Sequence, residues 1–229
     1  MRLSHLLAVG AALSLAVSAA PIPVSALGID KEIVVTSSNP GGGFDATVDG
    51  FETLVWCVDD ENQIHPGTPS ATYDGNVIAL DNWAGGQNNQ VRKGTETSWT
   101  DGLNLTALQR YQASAYLITQ YIGGPVSQAN AYQDAVWRLT STDGTAPAAN
   151  SYYNDAVAFI MDPLNANYGF GRWAIISGVS SGGVLSDTDT RQTFMVELVP
   201  NGEVPEPASM ALIGTGLIGM ALLNRRRRA

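Results

Sequence analysis

One cysteine and two histidines stand in 229 residues, and Lys and Arg together number 12 against 21 Asp and Glu. Each scarcity excludes something. A lone Cys57 makes no internal disulfide. His5 lies near the N-terminus, so His65, just before Pro66, is the one histidine of the body, and it reads as a turn residue rather than the base of a Cys-His pair. No metal site and no cofactor is expected: Asp59-Asp60-Glu61-Asn62 lacks EF-hand spacing and reads as a solvated turn. No H-E-x-x-H or P-loop pattern occurs, which argues against a secreted hydrolase and against an enzyme generally. Five of the 12 basic residues are Arg2 and Arg225 to Arg228, leaving seven bases against 20 acids over 27–203, about −13 by formal count. Such a surface excludes nucleic acid as a partner and tends toward cationic groups.

The two ends carry transport signals. Arg2, the apolar stretch Leu6 to Val17 and two small-residue sites, Val17-Ser18-Ala19 and Val24-Ser25-Ala26, read as a signal peptide over 1–26, cleaved after Ala26 or, alternatively, after Ala19. At the other end, Pro205-Glu206-Pro207 precedes an apolar run from Met210 to Leu223, followed by Arg225, Arg226, Arg227 and Arg228. A helix of that length spans roughly 20 Å against a ~30 Å hydrocarbon core, and flanking arginines can snorkel to make up the difference. Positive charge after the apolar run keeps the tail inside and the body outside.

Residues 27–203 form the functional body. Lys31 to Thr36 and Phe51 to Val58 read as strands, the second placing Phe51, Thr53, Val55 and Cys57 on one face. Turn signals crowd 63–102, which fits short strands and loops. Leu105, Leu108, Tyr111, Ala115, Ile118 and Ile122 then recur at helical spacing, as do Tyr132, Ala135, Val136 and Leu139, and Tyr152, Ala156, Phe159 and Ile160. Strands return at Trp173 to Ser177 and Gln192 to Val199. Strands, helices and strands in that order predict an α+β fold: a β-sandwich or barrel-like scaffold with a helical insertion carrying the glutamine helix.

The chemistry converges on two residues. Gln133 and Trp137, four apart, share a helix face, and burying the tryptophan turns the Gln133 amide inward. A thiolate can attack a side-chain amide with loss of ammonia. Holding Cys57 against Gln133 in a dry enclosure would therefore yield an internal thioester, with Trp56, Tyr132 and Trp137 as its shielding wall. That bond is a cross-link and also a stored acylating agent toward amines or hydroxyls.

Trp56-Cys57 and Tyr132-Gln133-Asp134-Ala135-Val136-Trp137 resemble the two signatures of the thioester domains in Gram-positive surface adhesins. The resemblance implies thioester roles for Cys57 and Gln133 and covalent attachment to an amine- or hydroxyl-bearing partner. The tail over 204–229 resembles instead the PEP-CTERM sorting signal of Gram-negative bacteria. It implies cutting by an exosortase-type enzyme, membrane contact through the C-terminal helix before processing, and a final place in the cell envelope or extracellular surface, often with exopolysaccharide. Two readings follow: a covalent adhesin, or a non-covalent matrix protein in which the thioester is absent or only stabilising. In the second, Trp83 and Trp99 are candidates for stacking on sugars.

Overall fold

The computed structural model describes residues 20–199 except 40–42, 60, 63, 69–70, 82, 181 and 186–190. The sorting-motif residues Pro205, Glu206, Pro207 and Arg225 to Arg228, the apolar run before those arginines and most of the signal segment lie outside the described residues. Six strands, β1 (Gly28–Ser38), β2 (Gly43–Val48), β3 (Phe51–Cys57), β4 (Thr72–Ala79), β5 (Trp173–Gly178) and β6 (Phe194–Glu197), close in the order β1-β2-β3-β6-β5-β4. Every pairing is antiparallel, and β1 closes the ring on β4.

This corrects the expected α+β fold, a β-sandwich or barrel-like scaffold with a helical insertion. Among the described residues the fold is a closed antiparallel barrel, mostly β, with three short α-helices: α1 (Ala107–Tyr121), α2 (Ala129–Thr140) and α3 (Ser151–Met161). What decides it is the β1–β4 ladder, in which Ile33 pairs with Tyr73 and Val34 with Thr72. Among the described residues that pairing leaves no open sheet edge. A strand unanticipated in the sequence, β2, joins β3 through Asp49-Gly50, where both residues have positive φ (51° and 82°). This backbone matches the right-handed twist of a tight hairpin.

Alternation along the strands separates two cores. Ile33, Val35, Val48, Val55, Cys57, Val77, Ile176, Phe194 and Val196 point inward and fill the barrel. Gly75 sits on an inward position where a Cβ would lie 3.0 Å from Ile33 Cγ1, so the lumen has no room for a side chain there. On the outside, Ile78, Trp173, Ile175 and Met195 meet Tyr111, Leu117, Ala135, Val136 and Leu139 of the helices.

The segment before β1 belongs to the barrel as well. Ile22 is fully buried, donates its N–H to Glu197 O (2.9 Å) and accepts from Val199 N–H (2.8 Å), and Ala26 is buried beside it. Cleavage after Ala26 would strip both from the core, whereas cleavage after Ala19 leaves them in place. No helix among the described residues is long and apolar enough to cross a membrane.

Candidate functional site

Helix α2 is fixed in place mainly at its C-terminal end. Arg110 of α1 is fully buried and spends all five N–H donors: on both Asp101 carboxylate oxygens (2.7 Å each), Leu103 O, Leu105 O and Leu139 O. Lys93 donates to Thr140 O at 2.9 Å. Two cations thus cap the C-terminal carbonyls of α2, where the helix dipole is negative. At the other end, Asn150 Nδ2 donates to Ala131 O (2.8 Å), and Asn150 Oδ1 caps α3 by accepting from Tyr153 N–H. The N-terminus of α2 starts after Gln128, with no side-chain cap.

Held this way, α2 presents Gln133 and Trp137 to the end of β3. Gln133 Nε2 donates to Cys57 O at 2.8 Å, and Trp137 Nε1 lies 3.4 Å from Cys57 Sγ. Cys57 is 2% exposed, and both α2 residues are half-buried. The structure therefore brings together the two residues that the sequence singled out, 76 positions apart. In this geometry Gln133 addresses the backbone carbonyl of Cys57.

The expected wall divides by role. Trp56 and Tyr132 line, with Cys57 and Gln133, a cavity of about 20 Å³ whose exposed surface is apolar. That volume holds about one water and offers it no polar partner. Tyr132 stacks on Tyr152 at 4.0 Å and leans on Tyr121, while Trp56 meets Trp173 edge-on at 5.7 Å. Trp137 packs instead against the barrel core and touches the sulfur.

Sequence reasoning missed a second glutamine. Cys57 pairs with Phe194 across the β3–β6 ladder, and Val58 N–H bonds Thr193 O, so continuing the register sets Gln192 opposite Asp59. Gln192 Nε2 lies 2.5 Å from Cys57 Sγ and 3.2 Å from Asp59 O. The Cys57 thiol also donates toward Asp59 O at 3.1 Å. No motif marks Gln192; only register could have found it.

Asp59, the first residue of the acidic turn after β3, is not solvated as expected. Asp59 is 2% exposed, accepts from Glu61 N–H and Asn62 Nδ2, and has Arg92 and Lys93 each at 3.9 Å. Glu61 bonds Lys93 (2.8 Å) and both the N–H and hydroxyl of Thr142. Burial pushes its carboxyl up, but these donors outweigh that and hold it below the ordinary value. His65 is exposed in its turn. Trp99 is 9% exposed beneath Arg110, with the guanidinium 4.6 Å from the ring, and Trp83 leans on Tyr111. Neither ring stands free as a sugar platform. Among the described residues no group of three or more His, Cys, Asp or Glu could hold a metal ion.

Residues 203–228 match the PEP-CTERM protein-sorting motif. The motif marks the chain as one exported to the cell envelope and recognised by exosortase. No curated protein and no solved structure matches the chain.

Proposed function

We propose that this exported protein acts as a covalent surface or matrix adhesin through an internal thioester between Cys57 and Gln133. The observation that carries the reading is the convergence of the two residues: Gln133 reaches Cys57 O at 2.8 Å, and both side chains line one small apolar cavity. In forming the bond, Sγ loses its proton and attacks the amide carbon of Gln133. The amide nitrogen takes that proton and leaves as ammonia. Enclosure would slow hydrolysis, and a partner's amine or hydroxyl reaching the site would acylate itself on Gln133 and return the thiol. The acidic body would favour a partner bearing lysines. In this reading the leader ends at Ala19, because the buried Ile22 and Ala26 are needed by the barrel.

The test is incorporation of a labelled primary amine into the purified protein. Wild type should take up label, and Cys57→Ala and Gln133→Ala should not while keeping the fold. Incorporation by Cys57→Ala would refute the assignment.

One observation favours the second reading, a non-covalent matrix protein. The Gln133 amide is already used as a brace between α2 and β3, a sufficient structural role for a half-buried glutamine. In that case wild type stays unlabelled and Gln133→Ala loses only stability.

A further inference from the structure

We infer that Gln192 is the hydrogen-bond donor that positions the Cys57 sulfur and receives it as a thiolate when the proposed thioester is opened. The inference rests on the thioester reading for its second half only; the first half concerns the free thiol as well.

Gln192 is 6% exposed, on the stretch leading into β6. A backbone carbonyl only accepts, so the end of the amide that faces Asp59 O at 3.2 Å must be its NH2 group. That fixes the amide's orientation and directs the same nitrogen at Sγ, 2.5 Å away. The indole Nε1–H of Trp137, also a donor only, approaches the sulfur at 3.4 Å. Two N–H donors from different elements thus meet one sulfur. A cysteine serving merely as a small hydrophobe needs no such donors, and buried amide groups cost free energy to place there. Donors aimed at a sulfur favour its anionic form, against the Asp59 carbonyl, which accepts from the thiol at 3.1 Å and favours the neutral one.

The chemistry follows directly. When an amine attacks the Gln133 carbonyl carbon, the carbon–sulfur bond breaks and its electron pair stays on Sγ. The amine's proton then returns to the sulfur, giving an amide and a free thiol. An N–H donor already on Sγ stabilises the charge that develops there without reorganisation. Gln133 supplies the acyl carbon and Gln192 holds the leaving group, so the two glutamines divide the work.

The experiment compares Gln192→Ala and Gln192→Glu with wild type, using the full purified chain. The first readout is the rate of opening by methylamine, followed by intact mass. It should fall on the order of tenfold, less than the loss of an oxyanion-hole donor because sulfur is a weak acceptor. The second is the pH profile of Cys57 labelling by methyl methanethiosulfonate in a Gln133→Ala background, where no thioester can form with Gln133. Removing Gln192 should move that profile to higher pH. Gln192→Glu keeps the side-chain volume, removes the donors and adds a charge, so it should move the profile further than alanine. If wild type carries no thioester, the proposed function fails, while the labelling profile still decides whether Gln192 serves the sulfur. An unchanged profile in both variants overturns the inference. So does a peptide map that finds Cys57 joined to Gln192, which would make Gln192 the acyl donor.

Discussion

Two buried polar clusters hold α2, and they are built on opposite principles. At the C-terminal end, Arg110 and Asp101 form a bidentate ion pair at 0% and 1% side-chain exposure. All five guanidinium donors are spent, and Tyr153 adds its hydroxyl to Asp101 at 2.8 Å. One turn and more toward the N-terminus, Cys57 meets only neutral groups: the Gln133 amide bonds its carbonyl, and the Gln192 amide and the Trp137 indole approach its sulfur. The first cluster is saturated and carries charge-assisted bonds, so its loss costs stability. The second has weaker donors around a nucleophile and an amide carbon, so its loss should cost chemistry first. A buried charge fixes a helix; in the proposed reading, the thiol beside that helix is what the fixed position serves.

The contrast is broken most severely by Arg110→Met, which leaves Asp101 buried and unpaired. It should cost about 3–5 kcal/mol in urea denaturation. Tyr153→Phe removes one donor to a charged acceptor and should cost about 1.5–3 kcal/mol by the same measurement, without altering amine uptake. Gln133→Ala should cost about 1–2 kcal/mol, since it frees only the Cys57 carbonyl, yet abolish amine uptake. Equal losses of stability and chemistry in Tyr153→Phe and Gln133→Ala would erase the distinction. The mildest change, Lys31→Ala at the exposed Lys31–Asp49 pair, should cost under about 1 kcal/mol and leave both clusters intact.

Acid should affect the ionic side selectively. Burial raises the Asp101 carboxyl, but Arg110, the Leu103 N–H and Tyr153 outweigh it, and its folded value lies below the ordinary 3.8. Glu61 is likewise held below 4.5. Their stabilisation is fully present above those ordinary values and is lost as pH falls through the lower folded ones. At the alkaline end, burial and then Asp101 push Tyr153 up to about 12, so its contribution is present below 10 and lost as pH rises toward 12. Melting temperature against pH should show both limbs, and Tyr153→Phe should weaken the alkaline one.

Local pattern carried the three helices and strands β1, β3, β5 and β6 and pointed to the central pair, while long-range pairing carried the architecture. The helix over Ser151–Met161 follows from its apolar spacing and from Asp162-Pro163 behind it. Thr106 and Gln109 form a capping box that starts α1, whereas Ile122, expected on its apolar face, is 45% exposed beyond its end. The closure of β1 on β4 was not legible, because a ladder between segments about 40 residues apart leaves no mark in either one alone. The Asp49-Gly50 turn was a legible hairpin signal between two alternating runs, and with it β2 could have been found. Arg110 was missed because a charged residue on a helix reads as solvated unless its partner is known, and Asp101 lies outside the helix. Cys57 and Gln133 were singled out through flanking residues; Gln192, lacking any, was not.

Whether Cys57 and Gln133 react is tested directly by an intact mass of the purified protein with and without methylamine. The account predicts a mass below that of the processed sequence by one ammonia, rising by one methylamine on treatment, with Cys57→Ala inert. The full sequence mass, with a titratable thiol and no change on treatment, would contradict it.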